Sequence, residues 1–158
     1  FRIEIGHWEG DLVISKGRKG GLLTLVDRLS RYSFVEKVED KSSKSIIEAF
    51  KRLKKKIPAE YLKTITVDNG KEFAGFKEIK KNLNVDVYFC NLYSPWEKGS
   101  NENFNGVLRQ TYPKGTVFSE IPDDEFERTV ERIRNRPRKV LNYFTANEVF
   151  LENMWWCA

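Results

Sequence analysis

Residues 3–38, IEIGHWEGDLVISKGRKGGLLTLVDRLSRYSFVEKV, contain the pattern that decides the fold. Three apolar-rich stretches are separated by short connections that are polar or rich in glycine: 3–14, 21–27 and 32–38. Short apolar runs bounded by turn residues predict β-strands, and tight turns between them predict an antiparallel meander. Gly6 and Gly10 are the points at which we expect the first strand to be irregular.

The pattern changes after the meander. From Ser42 to Pro58 apolar residues recur at helical spacing, which predicts an amphipathic helix with Ser45 and Glu48 as a capping box. Beyond it, the chain predicts two short strands and four helices: strands 64–67 and 85–90, and helices around 73–83, 99–110, 122–135 and 146–150. Helical crossovers place the last two strands parallel to a neighbour. The expected fold class is α/β, a five-stranded mixed sheet of three antiparallel plus two parallel strands, flanked by helices.

Length and composition indicate one globular domain spanning residues 1–158. Hydrophobic residues make up 40% of the chain and aromatic residues 13%, which excludes disorder as the main state. The sequence contains neither an apolar run of membrane-spanning length nor the pattern of a signal peptide. With Cys90, Cys157 and His7 as its only cysteines and histidine, the chain cannot form a disulfide framework or a Cys/His zinc site. Since Met154 is the only methionine, we expect the chain to be a fragment of a longer protein.

Positive charge is concentrated in two stretches of the sequence. Residues 41–56 contain seven basic side chains and one acidic one, and residues 128–139 contain six and one. The net charge of the whole chain is only +5, so the remainder is net acidic. An acidic body with two basic stretches suits a polyanionic partner together with a cation site. The alternative is that both stretches are solvated helix faces.

Three carboxylates lie where the predicted fold brings chain segments together. Asp11 lies within the first strand, Asp68 directly follows the fourth, and Glu102 lies early in the helix after the fifth. If the fourth strand pairs beside the first, Asp11 and Asp68 converge, and a helix packed over the same end adds Glu102. Three close carboxylates repel one another unless a divalent cation neutralises them, and their hard oxygen atoms favour Mg²⁺ or Mn²⁺. Two such ions suit in-line displacement at phosphorus.

Each carboxylate also has an ordinary structural explanation. An Asp before Asn-Gly, such as Asp68, is commonly a turn residue, and a Glu near a helix start is favoured by the helix dipole. Asp11 is the least ordinary of the three, because a carboxylate inside an apolar strand is costly without a partner. His7 and Glu9 alternate onto the same strand face as Asp11. We expect His7 to be structural, because it lies roughly 13 Å along the strand from Asp11, and Glu9 to support the site unless a bulge at Gly10 turns it away.

Several motifs resemble a single protein family. They are WEGD at 8–11, TLVDRLSRY at 24–32, TVDNGKEF at 66–73 and YSPWEKGSNENFN at 93–105. They resemble the catalytic domain of DDE-class insertion-sequence transposases of the IS30 family and, more broadly, the retroviral integrase core. The resemblance continues over nearly the whole chain, through KGT at 114–116 and NRPRKVLNYFTANEVF at 135–150.

The resemblance implies a ribonuclease-H-like fold and a metal-dependent DNA transposase. Asp11, Asp68 and Glu102 match the three acidic residues of the family, with Glu102 34 residues after Asp68, and are implied to be catalytic ligands of two Mg²⁺ or Mn²⁺ ions. The implied reaction is phosphodiester cleavage at the element ends, followed by transfer of the strand with the 3′ hydroxyl into target DNA. DNA is the implied partner, a homo-oligomer the implied active complex, and the bacterial cytoplasm, at the nucleoid, the implied location.

The helix that carries Glu102 also indicates how DNA would be bound. Asn105 and Arg109 follow Glu102 at i+3 and i+7, which places them on one polar face of the helix. We expect both to contact DNA, together with Lys98 in the preceding loop and Lys71 after the fourth strand. The alternative is that this face is an ordinary solvated helix surface.

Two other functions remain open at this stage. The first is a ribonuclease-H-like nuclease that hydrolyses nucleic acid without joining strands. The second is a non-catalytic nucleic-acid-binding or dimerisation module that uses the basic stretches, for which a steep salt dependence of binding is expected. Three repelling carboxylates argue against the second, because a binding module gains nothing from them.

Overall fold

The computed structural model describes residues 4–91 and 99–156. Within these ranges the chain forms a five-stranded sheet flanked by helices, joined by short connections of which several contain a single 3-10 turn. The strands are β1 (His7–Ile14), β2 (Gly21–Asp27), β3 (Ser33–Val38), β4 (Thr64–Val67) and β5 (Asp86–Phe89). The helices are α1 (Ser43–Lys56), α2 (Phe76–Leu83), α3 (Gly99–Thr111), α4 (Asp123–Arg134) and α5 (Ala146–Trp156). No helix in the described ranges is both long and apolar enough to cross a membrane.

The sheet has the strand order β3-β2-β1-β4-β5. β2 pairs antiparallel with both β1 and β3, and β4 pairs parallel with both β1 and β5. The predicted mixed sheet is therefore confirmed, with three antiparallel strands followed by two parallel ones. β1 is the central strand, which places its residues beside both the meander and the parallel half.

Helices cover both faces of the sheet. One core contains Trp8, Leu12 and Phe50 and lies under α1, α2 and α5. The other contains Val13 and Phe104 and lies under α3 and α4. Because both faces are covered, every residue of β2 is buried, which explains why this strand is a nearly continuous apolar run in the sequence.

The first strand is more regular than the sequence indicates. β1 begins at His7 and not at residue 3 as predicted, so Gly6, with a φ of +115°, precedes the strand and does not interrupt it. Gly10 does not interrupt it either, because β1 pairs with β2 continuously from Trp8 to Ile14, so the expected bulge there is wrong. A Cβ atom at Gly10 would lie 3.0 Å from Cγ1 of Val67. Glycine is therefore favoured at this position by the close packing of β1 against its neighbours.

α1 begins one turn earlier than the predicted capping box. Ser42 is its N-cap residue, and the side-chain oxygen of Ser42 accepts a hydrogen bond from the backbone N–H of Ser45 at 3.2 Å. Ser45 itself lies inside the helix, so the prediction of Ser45 and Glu48 as the capping box is wrong. The end is as predicted: Ile57 is extended because the residue before Pro58 avoids the helical region.

Three other helices differ from their predicted extents. The helix predicted from residue 73 is a 3-10 turn at Lys71–Phe73 followed by α2, with Gly75 between them. Pro122 is the N-cap residue of α4, and the first helical residue is Asp123. α5 continues to Trp156, beyond the predicted end at residue 150.

Candidate active site

One face of β1 carries the polar residues that the sequence indicates. His7, Glu9 and Asp11 alternate onto the face covered by α3, while Trp8 and Leu12 point into the core on the other side. Val13 continues the same face and packs with the apolar residues of α3. The absence of a bulge at Gly10 keeps Glu9 and Asp11 on one face.

The pairing of β1 with β4 relates Asp11 to Asp68. The parallel pairing ends at Glu9 and Thr66, and the residues two positions further along the chain are Asp11, still within β1, and Asp68, just after the end of β4. Neighbouring strands lie about 4.8 Å apart. Asp68 directly follows β4 and its carboxylate accepts a hydrogen bond from the backbone N–H of Gly70 at 3.1 Å. The carboxyl end of β4 therefore lies next to the middle of β1, as the topology predicts.

α3 contacts Asp11 through Asn105. The Nδ2 of Asn105 donates a hydrogen bond to Oδ2 of Asp11 at 2.8 Å. The amide oxygen of the same side chain, Oδ1 of Asn105, is buried and has no hydrogen-bond partner among the described residues. Glu102 lies one turn before Asn105 on the same side of the helix, and its side chain is exposed. Carboxylate and amide oxygens are the ligands that Mg²⁺ and Mn²⁺ prefer, so the chemistry of these side chains fits a divalent cation.

The three carboxylates do not form a closed cluster. Within residues 4–91 and 99–156, no group of three acidic, histidine or cysteine side chains lies close enough together to hold a metal ion. The Asp11 carboxylate is hydrogen-bonded to the Asn105 amide. The assignment of Asp11, Asp68 and Glu102 as metal ligands therefore stays a prediction.

A buried carboxylate holds α3 in place over β1. Glu9 is fully buried, and its Oε2 accepts a hydrogen bond from the backbone N–H of Asn101, at the start of α3, at 2.8 Å. Its Oε1 lies 3.3 Å from Nε of Arg28, which compensates the negative charge. A negative charge at a helix N-terminus is further stabilised by the helix dipole. Glu9 therefore sets the position of the helix that carries Glu102.

Asn101 completes this contact from the helix side. Its Nδ2 donates to the backbone oxygen of Glu9 at 2.8 Å, and its Oδ1 accepts from Oγ1 of Thr24 at 3.1 Å. Asn101 is fully buried, so both hydrogen bonds are shielded from water. Asn101 was not among the predicted site residues, because an Asn near a helix start is an ordinary polar residue in the sequence. Its partners lie 77 and 92 residues away. The sequence offered one signal for this contact, which was that Glu9 and Asp11 alternate onto the same face of the first strand.

Three further predicted site residues, Arg109, Lys71 and Lys98, differ in their surroundings. Arg109 donates hydrogen bonds to the backbone oxygens of Ile14, Tyr112 and Pro113 at 3.0–3.3 Å, and burial lowers the pKa of its guanidinium. Lys71 is exposed in the turn after Asp68. Lys98 lies outside the described residues. A role in DNA binding stays a prediction for all three, and for Asn105.

His7 has the structural role expected of it. Its Nδ1 lies 2.8 Å from Oγ1 of Thr64 on the neighbouring strand, and its Nε2 lies 3.3 Å from Glu4. These contacts tie the start of β1 to β4 and to the segment before it.

Comparison with known proteins identifies relatives of this chain. The integrase core domain family matches residues 2–95, a region that contains Asp11 and Asp68 but not Glu102. A transposase of insertion sequence IS30A from Escherichia coli K12 is 40% identical over 148 residues, covering 94% of this chain and 38% of the relative. A transposase of IS4351 from Bacteroides fragilis is 41% identical over 149 residues, covering 92% of this chain and 44% of the relative. The chain thus spans less than half the length of these relatives.

The fold has a counterpart among solved structures. A chain in the cryo-electron microscopy structure of a simian T-cell lymphotropic virus intasome, in complex with the PP2A regulatory subunit B56 gamma, superimposes with a TM-score of 0.72. The match covers 92% of this chain and 54% of that chain at 19% sequence identity. The likeness confirms the predicted ribonuclease-H-like fold. Since the family match extends over more than half of the chain, this chain belongs to the integrase core domain family.

Proposed function

We propose that this chain is the catalytic domain of a DNA transposase in which Asp11, Asp68 and Glu102 bind divalent metal. The observation that carries the proposal is the parallel pairing of β1 with β4, which matches Glu9 with Thr66, because Asp11 lies two residues beyond Glu9 in β1 and Asp68 directly follows β4. α3 crosses the same face and carries Glu102 one turn from the Asn105 that contacts Asp11. Membership of the integrase core domain family supports the same chemistry.

The proposed reaction is cleavage of a phosphodiester bond followed by strand transfer. Two Mg²⁺ or Mn²⁺ ions, when bound, would activate the attacking oxygen and stabilise the leaving oxygen. The role of this chain is to position the side chains that would bind the metal ions. β1 and β4 fix the backbones of Asp11 and Asp68, and Glu9 fixes the start of α3 and with it the backbone of Glu102. The Asn105 amide orients the Asp11 carboxylate.

The substrate and setting follow from the same proposal. Transposition requires DNA at the element ends and at the target, and more than one copy of the chain is proposed in the active complex so that both ends are processed together. The proposed location is the bacterial nucleoid, where that DNA lies. The relatives are transposases of insertion sequences, which supports DNA as the substrate.

The proposal is tested by replacing the acidic residues one at a time. Asp68→Asn and Glu102→Gln are each expected to abolish Mg²⁺-dependent nicking and joining of a pre-cleaved DNA end, because each removes the charge of a metal ligand. Glu152→Gln is the matched control, since Glu152 is also an exposed glutamate on a helix. Wild-type activity in either acidic variant would contradict the proposal. Hydrolysis without any joined product would favour a nuclease.

Metal binding provides a second readout that does not depend on activity. Titration of Mn²⁺ by calorimetry is expected to give weaker binding for Asp68→Asn and Glu102→Gln than for the wild-type chain and Glu152→Gln. Circular dichroism of each variant checks that it is folded. Equal Mn²⁺ binding by all four folded proteins would contradict a shared metal site and would favour the non-catalytic binding module.

A further inference from the structure

An open groove lies on the flank of α3 that is opposite Glu102 and Asn105. Its α3 side is formed by Ser100, Asn103 and Val107, which recur at i, i+3 and i+7 on one line of the helix. Its other side is formed by the segment 136–140 and by Arg31, and its volume is about 540 Å³. We call it the α3 groove.

The α3 groove is strongly basic. Four cationic side chains line it: Arg31, Arg136, Arg138 and Lys139. None of them forms a salt bridge with a carboxylate in the described part of the chain. The other basic stretch differs, because on α1 both Arg52 and Lys56 pair with Glu36 and Lys51 pairs with Glu48. The positive charge of the groove is therefore uncompensated, whereas part of the charge of α1 is neutralised.

Two buried polar atoms at the groove lack a hydrogen-bond partner within the described residues. Ser100 is only 3% exposed, and its Oγ is unpartnered. Nε of Arg138 is likewise buried and unpartnered, although the same guanidinium donates to the backbone oxygen of Ile133 at 3.2 Å. Burial lowers the pKa of Arg138, and the positive charge of Arg136 lowers it further. A buried donor is stabilised by a hydrogen-bond acceptor and a desolvated cation beside another cation by a negative charge, and a bound anion supplies both.

We propose that the α3 groove binds the phosphate backbone of DNA, as a site separate from the carboxylates of Asp11, Asp68 and Glu102. This inference rests on the proposed function and adds a second contact surface for the same substrate. In the proposed complex the Ser100 hydroxyl and the Arg138 guanidinium, both in the wall of the groove, rotate toward the DNA and donate hydrogen bonds to phosphate oxygens, and the exposed Arg136 and Lys139 contribute charge. The contacts are to the backbone, so they carry no sequence preference.

The outer line of α3 leaves room for DNA to reach both sites. Gly99 and Gly106 lie seven residues apart on that line, and a Cβ atom at either would meet nothing within 4 Å. These two positions lie between the carboxylates on one flank of α3 and the α3 groove on the other. No side chain projects from either of them. An α-helix is about 10 Å across, a distance that a few nucleotides of one DNA strand span. One DNA strand that crosses α3 can contact both flanks.

The first test measures DNA binding without catalysis. Anisotropy of a fluorescein-labelled duplex is titrated with the chain in EDTA, over a range of salt concentrations. Arg136→Ala combined with Lys139→Ala is expected to raise the Kd roughly tenfold and to reduce the salt slope by about two. The matched control is Lys77→Ala combined with Lys81→Ala, which removes two exposed charges from α2 on the opposite face of the sheet. The control is expected to change the Kd less than twofold.

The second test separates binding from stability. In Ser100→Ala the melting temperature is expected to stay the same or rise slightly, because the variant removes a buried hydroxyl that has no partner. The Kd for the duplex is nevertheless expected to rise roughly threefold to tenfold, because one hydrogen bond to phosphate is lost. A purely structural serine would lower the melting temperature and leave the Kd unchanged, which would overturn this part of the proposal.

The outcomes for the groove and for the active site are distinguishable. If the Arg136/Lys139 variant binds duplex with the wild-type Kd and salt slope, the α3 groove proposal fails, whatever the activity of the acidic variants. If that variant binds weakly as expected while Asp68→Asn and Glu102→Gln remain active, the groove proposal stands and the proposed function fails. Asp68→Asn in EDTA is expected to bind duplex at least as tightly as wild type.

Discussion

The contact between Asn101 and the two strands beneath it leads to a quantitative prediction for stability. Asn101→Ala removes two buried hydrogen bonds, one to the backbone oxygen of Glu9 and one from Thr24 Oγ1. Each such bond contributes about 0.5–1.5 kcal/mol to folding, and the lost carboxamide leaves a small cavity. We expect Asn101→Ala to lower the free energy of unfolding by about 2–3 kcal/mol.

A double-mutant cycle isolates the part of this loss that belongs to the side-chain pair. Thr24→Val keeps the shape of the buried side chain and removes only the hydroxyl, so it should cost about 1–2 kcal/mol. Because both single variants break the same hydrogen bond, the double variant should lose about 1 kcal/mol less than the sum of the two single losses. Asn103→Ala, an exposed position on the same helix, is the matched control and should stay within about 0.5 kcal/mol of wild type.

The assay is urea denaturation followed by tryptophan fluorescence and circular dichroism. With a slope of about 2–3 kcal/mol per molar urea, the midpoint of Asn101→Ala should fall by about 1 M. Two results would refute the reasoning. One is a loss below about 0.5 kcal/mol in Asn101→Ala, and the other is strict additivity of the two substitutions, since either would mean that the hydrogen bonds do not hold α3 on the sheet.

Two further predictions concern local backbone contacts. Gly20→Ala should lower the free energy of unfolding by about 2–4 kcal/mol, because Gly20 has a φ of +70° and an added Cβ would lie 2.4 Å from the backbone oxygen of Val38. Gly17→Ala, at a φ of +68° with open space around it, should cost only about 1 kcal/mol, and equal losses in urea denaturation would contradict this account. Arg109→Ala should lower the melting temperature by about 3–6 °C through loss of its hydrogen bonds to backbone oxygens, and an unchanged melting temperature would contradict this. If Arg109 also contacts phosphate, as the sequence predicts, the salt slope of DNA binding should fall by about one, and an unchanged slope would contradict that contact.

The order and type of the secondary structure could be predicted because they depend on local patterns. The bounds of β2 and β4 match the predicted ranges, since each is an apolar run bounded by turn residues. The errors lie where tertiary contacts outweigh local signals. Gly10 is regular strand because its neighbours pack closely against it, and a local pattern cannot distinguish that reason for a glycine from a bulge.

In the candidate site, too, local patterns predict some features and tertiary contacts decide others. The sequence predicted that Asp11 and Asp68 lie near each other, because right-handed crossovers restrict which strands become neighbours. Arg109 was predicted to contact DNA from its place on the helix face, and this stays a prediction. Its guanidinium also donates to the backbone oxygen of Ile14, 95 residues away, and no helical pattern contains that information.

The sequence by itself determined the strands and helices, the α/β class with its mixed sheet, and the family resemblance, because apolar periodicity and motif spacing are properties of neighbouring residues. Only the tertiary structure decided how α3 is held over β1 through Glu9 and Asn101, and which basic stretch stays uncompensated at the α3 groove. The physical reason is that hydrogen bonds and ion pairs depend on distances of about 3 Å between groups, and folding sets those distances between residues that lie far apart in the chain.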